Sequence, residues 1–203
     1  MTMTGPVVHV VDDDASARGA LTRMLRIAGF EVRGYASAIE FLDGHTGASG
    51  CLVLDVRLPG MSGVELQTVL GKGDESLPIV FLTGRGDIET SVHAMKSGAV
   101  DFLTKPVKRD VLFAAVRAAI ARDADARAHR AELRSLRSRF ATLTTRERQV
   151  FDRVIHGKLN KQIADELGTS IRTVKAHRAS VMTKMAAGSL AELVGVGNRL
   201  GSA

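Results

Sequence analysis

The stretch VVHVVDDD, residues 7–14, runs from apolar residues directly into three carboxylates. An apolar run followed by a polar side chain recurs at CLVLD (51–55), IVFLT (79–83) and VDFLTK (100–105). Apolar runs of this length are typical of strands buried on both faces, which favours a parallel sheet. The ligand site of such a sheet lies beyond the carboxyl ends of its strands. The sequence therefore predicts that the polar residues after these runs meet at one edge: Asp12, Asp13, Asp55, Thr83 and Lys105.

Strands and helices alternate through residues 5–121, the first predicted domain. We predict strands over 7–11, 31–35, 51–54, 79–82 and 100–103, and helices over 16–28, 37–43, 62–70, 87–97 and 107–121. Asp14 is expected in the first turn of the first helix. The strand at 31–35 is more polar than the others, which places it at the sheet edge. This alternation indicates an α/β fold, a doubly wound five-stranded parallel sheet.

The composition changes after residue 121. Residues 122–139 are rich in Ala, Arg and Glu and contain no Gly or Pro, which predicts a helical linker; a flexible charged linker is the alternative. Residues 140–203 form the second predicted domain, which is all-α. In it Asn160 is expected to cap a short helix, and Gly168-Thr169-Ser170 joins that helix to a basic one. Two helices joined in this way indicate a helix-turn-helix.

Charge is divided unevenly between the two halves. Residues 1–121 hold 12 Lys and Arg against 14 Asp and Glu, a net charge of −2. Residues 122–203 hold the remaining 16 against 8, a net charge of +8. A basic second half indicates a nucleic-acid surface, although a merely basic, soluble domain has the same charge.

Several classes of protein are disfavoured by composition. The sequence contains no run of 18 apolar residues, which a membrane-spanning helix would need. Its N-terminal residues do not resemble a signal peptide. The single cysteine, Cys51, lies within a predicted strand and is expected to be buried and structural. These features predict a cytoplasmic protein without membrane contact.

The predicted edge cluster has the chemistry of a magnesium and phosphoryl site. Neighbouring carboxylates repel each other unless a cation neutralises them, and a site with only oxygen ligands suits Mg²⁺. A carboxylate such as Asp55 can accept a phosphoryl group, while Thr83 donates a hydrogen bond and Lys105 supplies positive charge. Taken singly, each of these residues is more often a cap, a turn residue or a solvated charge. Their order at successive strand ends favours the functional interpretation.

The segments VVDDD (10–14), LDVRLPGMSG (54–63), FLTG (81–84) and DFLTKP (101–106) resemble a response-regulator receiver domain. The resemblance implies that Asp55 is the phosphoacceptor and that Lys105, before a cis proline bond, contacts the phosphate. It implies that Asp13, Asp55 and the carbonyl of Arg57 hold Mg²⁺, with Asp12 acting through water. Thr83 and Phe102 would be the switch pair. Phe102 has no hydroxyl, so an inward movement of its side chain can only bury the ring.

The predicted basic helix from Ser170 to Met185 has one apolar and one basic face. Ile171, Val174, Val181 and Met185 are expected on the buried face, and a basic face suits the major groove. Lys161 and backbone N–H groups near Asn160 are expected to meet phosphate. His177 is ambiguous between a structural and a DNA-contacting role. The candidate DNA-binding residues are Asn160, Lys161, Arg172, Thr173, Lys175, Ala176, His177, Arg178 and Ala179.

The segments LTTRERQV (143–150), GKLNKQIA (157–164) and TVKAHR (173–178) are similar to the LuxR-type helix-turn-helix. With the receiver-like half in front, the chain resembles the FixJ/NarL class of transcriptional response regulators. This resemblance implies a non-enzymatic regulator whose partners are a sensor histidine kinase and promoter DNA, with RNA polymerase as a further candidate. It also implies a homodimer on phosphorylation, for which Lys96, Asp101 and Arg117 are candidate cross-pairs. A stripe of Leu190, Leu193 and Val194 would either pair two DNA-binding domains or close the core of one.

Two other classes of protein share part of this pattern. A metal-dependent phosphohydrolase that forms an aspartyl phosphate also places acids at strand ends, but Arg57 stands where such enzymes need an aspartate acid/base. Its second half would also have to form a substrate cap, and here that half is a basic helical domain. A dinucleotide-binding protein is excluded because acids occupy the first turn, where glycines are needed.

Overall fold

The structure, a computed structural model, describes residues 5–45, 47–71, 77–84 and 95–201. The chain divides into two compact units, Met1–Ala126 and Arg127–Ala203. The first unit contains one sheet of five parallel strands in the order β2-β1-β3-β4-β5. The strands are β1 (Val7–Val11), β2 (Glu31–Tyr35), β3 (Gly50–Asp55), β4 (Ile79–Thr83) and β5 (Asp101–Thr104). The predicted parallel sheet is confirmed, with residues 31–35 at its edge.

Four helices of the described residues belong wholly or partly to this unit: α1 (Ala15–Ile27), α2 (Ala38–Gly44), α3 (Gly63–Leu70) and α4 (Arg109–Ala141). Local sequence sets where they begin. Asp14 is the N-cap of α1 and accepts hydrogen bonds from the N–H groups of Ser16 and Ala17, so the prediction that it lies in the first turn is wrong by one position. Ser62 and Glu65 form a capping box that begins α3.

Alternating residues of the central strands fill two cores. Val53 lies in the core under α1 and α4, and its neighbour Leu54 lies in the core with α2 and α3. Both side chains are fully buried, as are Val8, Val10, Leu52 and Phe81. Burial on both faces explains why these strands are continuous apolar runs. The helix predicted over 87–97 falls mostly outside the described residues, and Met95 and Lys96 are helical.

Helix α4 is 33 residues long, so the residues expected to form a helical linker are helical and continuous with the helix before them. Both ends of this stretch are attached. In the first unit the buried Asp123 carboxylate accepts a hydrogen bond from the N–H of Gly50 at 2.8 Å. In the second unit Leu136 is buried in the core. The stretch is therefore anchored at Asp123 and at Leu136, while most of the residues between these two positions are exposed.

The second unit contains α5 (Thr145–Ile155), α6 (Asn160–Leu167), α7 (Ile171–Met185) and α8 (Leu190–Gly201). Its core includes Val150, Ile163, Val174, Val181 and Leu193. Gly197 lets α8 approach α5, because a Cβ there would lie 2.8 Å from Ile155 Cδ1. The N-cap of α6 is Leu159 rather than Asn160, which is the first helical residue. The prediction that Asn160 caps this helix is therefore wrong by one position. The side chain of Asn160 instead accepts a hydrogen bond from Arg178.

Candidate functional site

Three carboxylates meet at the carboxyl edge of the sheet. Asp12 follows β1, Asp55 ends β3, and one ligand atom from each of these and from Asp13 lies within 4.8 Å of the other two. Asp12 is 1% exposed and Asp55 is 9% exposed, whereas Asp13 is open to solvent. The parallel strands bring residues from distant parts of the chain to this edge, as the sequence pattern predicts.

Lys105 follows β5 and reaches back to two of these carboxylates. Its Nζ donates to Asp12 Oδ2 at 2.7 Å and to Asp55 Oδ2 at 2.5 Å. Burial alone would lower the pKa of Lys105, but the hydrogen bonds to Asp12 and Asp55 outweigh it and raise this pKa. The lysine is therefore a fixed cation at neutral pH. The peptide bond between Lys105 and Pro106 is cis, as the resemblance implies.

Backbone groups hold the other carboxylate oxygens in place. The N–H of Asp14 donates to Asp12 Oδ1 at 3.0 Å, and the N–H of Arg57 donates to Asp55 Oδ1 at 2.9 Å. The loop after β3 folds closely against the strand, since a Cβ at Gly63 would lie 2.4 Å from the Asp55 carbonyl oxygen. The glycine therefore lets α3 begin directly against the end of β3.

The chemistry of these donors fits Mg²⁺. Three carboxylates stand close together, and the ammonium of Lys105 contacts two of them. Carboxylates crowded in this way repel one another, and a divalent cation would balance their charge. Hard oxygen ligands, one of them exposed to solvent, suit an ion that keeps part of its water shell.

The two predicted switch residues lie on neighbouring strands. Thr83 ends β4, is 2% exposed, and its hydroxyl donates to the carbonyl of Gly84 at 3.0 Å. Phe102 on β5 is half-buried, and its ring centroid is 5.9 Å from that of Phe81. The N–H of Lys105 donates to the Thr83 carbonyl at 2.7 Å, so the threonine and the lysine are joined through the backbone.

In the second unit, α7 is the predicted basic helix, and Ser170, where the predicted helix begins, is its N-cap. Val174, Val181 and Met185 are buried, but Ile171 is 43% exposed, so its predicted place on the buried face is wrong. Ile171 is the first residue of the helix, three residues before Val174, its first buried position. The candidate DNA-binding residues that are exposed are Lys161, Arg172, Thr173, Lys175, Ala176 and Ala179.

The remaining candidates, Asn160, His177 and Arg178, are half-buried. Arg178 Nη1 donates to Asn160 Oδ1 at 3.1 Å, which joins α7 to the first turn of α6. The side chain of Asn160 therefore accepts a hydrogen bond from Arg178 and does not cap its own helix. Capping there comes instead from Gln162, whose Oε1 accepts a hydrogen bond from the N–H of Leu159.

Sequence reasoning missed a buried network centred on Glu147. This carboxylate is 5% exposed and accepts from the N–H of Thr144 at 2.7 Å, Ser180 Oγ at 2.5 Å and Lys184 Nζ at 2.6 Å. Hydrogen bonds, first from Lys184 and then from Ser180, lower the pKa of Glu147 to about 2. The sequence signal TTRE marks a capping box, which the structure contains. That signal does not reveal that the same carboxylate holds the basic helix α7.

The apolar stripe on α8 divides between core and surface. Leu193 is fully buried in the core of its own unit, whereas Leu190 is 43% exposed. Leu193 therefore closes the core, which is the second of the two interpretations of this stripe. No helix within the described part of the chain is both long and apolar enough to span a lipid bilayer.

Comparison with known proteins gives two family matches. Residues 8–117 match the response regulator receiver domain, and residues 141–196 match the bacterial regulatory proteins of the luxR family. The first match covers the carboxylate edge and the second covers the helix-turn-helix.

Similar curated proteins extend over nearly the whole chain. Nodulation protein W of Bradyrhizobium diazoefficiens is 47% identical over 98% of this chain and 88% of its own length. The transcriptional regulatory protein FixJ of the same organism is 45% identical over 99% and 98%. The response regulator protein TodT of Pseudomonas putida is 42% identical over 98% and 88%.

Solved structures agree with these matches. The response regulator StyR has a TM-score of 0.85 at 46% identity and covers 96% of this chain and 98% of its own. Full-length FixJ from B. japonicum has a TM-score of 0.57 at 42% identity, with 99% and 100% covered. The matched families and the relative FixJ are regulatory proteins. These matches give no support to the phosphohydrolase alternative.

Proposed function

The chain belongs to the FixJ/NarL class of two-component transcriptional response regulators, and we propose that phosphorylation of Asp55 by a sensor histidine kinase controls its binding to promoter DNA. The observation that carries the proposal is the contact of Lys105 Nζ with both Asp12 and Asp55, inside a cluster of three carboxylates. This is a nucleophile with a fixed cation beside it.

The phosphoryl transfer follows from the groups present. The Asp55 carboxylate attacks phosphorus, the new O–P bond forms, and the N–P bond to the kinase histidine breaks, leaving imidazole. Lys105 already contacts Asp55 and stabilises the negative charge on the phosphoryl oxygens during transfer. The N–H of Arg57 keeps the Asp55 carboxylate oriented through Oδ1.

We propose that Asp12, Asp13, Asp55 and the backbone carbonyl of Arg57 hold Mg²⁺, with Asp12 acting through water. Bound there, the ion would neutralise charge on the phosphoryl oxygens. Lys105 would exchange its contact with the Asp55 carboxylate for one with the phosphoryl group. Asp12, buried and shared with Lys105, then remains to hold the lysine.

The response to phosphorylation is assigned to Thr83 and Phe102. We propose that the Thr83 hydroxyl, now bonded to the Gly84 carbonyl, turns to a phosphoryl oxygen, and that Phe102 moves inward to bury its ring. The short backbone link between Thr83 and Lys105 supports a joint response of the two residues. Dimerisation through the face with Lys96, Asp101 and Arg117 would follow; Lys96 and Arg117 are exposed there.

The DNA-binding proposal rests on the exposed basic residues of α7. Lys175 and Arg172 are open to solvent on the helix that would enter the major groove, and Lys161 is exposed at the start of α6. The hydrogen bond from Arg178 to Asn160 fixes the orientation of the Arg178 guanidinium before DNA binds. We assign the remaining candidates, Thr173, Ala176, His177 and Ala179, to the same interface.

The proposed domains are a receiver over residues 5–121, a helical linker over 122–139 and a LuxR-type domain over 140–203. We propose that this regulator acts in the cytoplasm, as a homodimer when phosphorylated, and contacts RNA polymerase at the promoter. We assign it no catalytic turnover of its own. Asp55 accepts a phosphoryl group as a signal and not as an intermediate in hydrolysis.

The test is labelling of the full chain by acetyl phosphate in the presence of Mg²⁺. Asp55→Asn should abolish the labelling, whereas Asp14→Asn, a control that alters a neighbouring N-cap, should retain it. Asp13→Ala should weaken both labelling and Mg²⁺ binding. Undiminished, acid-stable labelling of Asp55→Asn would exclude Asp55 as the acceptor. A wild-type chain that releases phosphate from simple esters with turnover would favour a hydrolase instead.

A further inference from the structure

Arg18 on α1 reaches the backbone of two of the three carboxylate residues. Its Nη1 donates to the carbonyl of Asp12 at 2.6 Å and to the carbonyl of Asp13 at 3.3 Å. The guanidinium thus contacts the main chain of the acidic segment, whereas Lys105 contacts the carboxylates themselves.

These two carbonyls lie where the sheet stops supporting the chain. The pairing of β1 with both neighbouring strands ends at Val11, and the N–H of Asp12 makes a last bond to the Tyr35 carbonyl at 3.2 Å. Backbone carbonyls need a hydrogen-bond partner when they are out of reach of water. Arg18 supplies that donor to the part-buried Asp12 carbonyl and adds a longer bond to the solvent-exposed Asp13 carbonyl, and these two bonds limit the rotation of the backbone that carries both side chains.

The arginine is itself well anchored. Its N–H donates to the Asp14 carbonyl at 2.9 Å in the first turn of α1, a helix that begins on the Asp14 cap. Its stem passes over Gly34 of β2, where a Cβ would lie 3.5 Å from Arg18 Cγ. Helix, cap and stem together hold the guanidinium against the backbone of the acidic segment.

We propose that Arg18 is a positioning residue for the carboxylates of Asp12 and Asp13, an inference that rests on the Mg²⁺ role proposed above. Its charge and its hydrogen bonds act in opposite directions. A nearby positive charge disfavours the binding of a cation, so an arginine that acted only through its charge would weaken Mg²⁺ binding. An arginine that orients the ligands strengthens it. The sign of the effect therefore separates the two roles.

The experiment measures Mg²⁺ binding to the full chain by isothermal titration calorimetry, without phosphodonor. Arg18→Met keeps an apolar stem and removes both hydrogen bonds and the charge. Loss of a group that orients metal ligands typically costs about tenfold or more in affinity, and we expect that loss here. Arg23→Met is the matched control, because it removes an equal charge from an exposed residue of the same helix and should bind as the wild type does.

A second variant and a second readout keep the result interpretable if Arg18→Met folds poorly. Arg18→Lys retains the charge and ends in a shorter ammonium, so it should also bind Mg²⁺ more weakly; an effect of charge alone would leave its affinity unchanged. In either variant, amide exchange at Asp14 should accelerate, since that N–H is bonded to Asp12 Oδ1.

Equal or tighter Mg²⁺ binding by Arg18→Met overturns the positioning role and leaves the proposed function intact. Mg²⁺ binding by the wild type and by Asp13→Ala tests the proposed metal role separately from the role of Arg18. If the wild type shows no Mg²⁺ binding that Asp13→Ala removes, the metal role itself fails, and the inference about Arg18 fails with it.

Discussion

Replacing Glu147 by Gln should destabilise the second unit without affecting the first. The substitution keeps the shape of the side chain but replaces a charged acceptor in contact with Lys184, Ser180 and the N–H of Thr144. Hydrogen bonds to charged groups contribute about 1.5–3 kcal/mol each. Because the Lys184 side chain is 33% exposed and can be rehydrated, we expect a loss of about 2 kcal/mol rather than the full sum.

The pH dependence follows from the lowered pKa of Glu147. A carboxyl whose pKa is about 2 in the folded chain and 4.5 unfolded stabilises the fold above pH 4.5. That contribution is lost as the pH falls from about 4.5 through about 2. Glu147→Gln should therefore differ most from the wild type at neutral pH, and the difference should shrink in acid.

The assay is denaturant unfolding of the full chain with two probes. The chain has no tryptophan and one tyrosine, Tyr35, so tyrosine fluorescence reports on the first unit. Far-ultraviolet circular dichroism reports on both units. Glu147→Gln should shift the circular dichroism transition and leave the tyrosine transition in place. The control is Glu166→Gln, whose partners Arg153 and Lys158 form an exposed cluster, so its transition should not move. Equal midpoints for wild type and Glu147→Gln would refute the role given to the network.

Four further substitutions test other parts of the molecule. Asp123→Ala leaves the N–H of Gly50 without its acceptor and should destabilise the first unit by about 2 kcal/mol, measured by tyrosine fluorescence. The pKa of His9 is lowered from 6.5 to about 4, mainly by burial and then by the charges of a neighbouring histidine and arginine. The free energy of unfolding of the first unit should therefore fall by up to about 3 kcal/mol between pH 6.5 and pH 4. His9→Leu should not show this loss. Lys175→Ala should cost about 1–3 kcal/mol in DNA binding and relax preference at one base pair, whereas Lys161→Ala should weaken all sequences alike and reduce the salt slope by about one.

Each of these predictions has either a control substitution or a result that would contradict it. Arg122→Ala alters an exposed neighbour of Asp123 and should leave the tyrosine transition unchanged. A pH profile of His9→Leu that equals that of the wild type would show that another group titrates. A base-specific loss from Lys161→Ala, measured by gel shift against a set of operator variants, would reverse the assignments of the two lysines.

The amino-acid sequence by itself determined the sheet and the edge at which its polar residues meet. Strands buried on both faces must be continuous apolar runs, and parallel strands must present their carboxyl ends together. Asp12, Asp55, Thr83 and Lys105 could therefore be placed at one edge from their positions after the runs. The caps at Ser62, Thr144 and Ser170 were also predictable, because a cap is satisfied within a few residues of itself.

Only the tertiary structure decided which side chains meet across long distances in the chain. Lys105 lies 93 residues from Asp12, Glu147 lies 37 from Lys184, and Asn160 lies 18 from Arg178. Periodicity reports which face of an element is apolar, but it carries no information about the partner of a polar group. For the same reason Asn160 was expected to cap its own helix, and Ile171 was expected to be buried. Neither outcome can be read from local pattern, because the hydrogen-bond partner of Asn160 lies on α7 and the burial of Ile171 depends on which elements pack around the start of its helix.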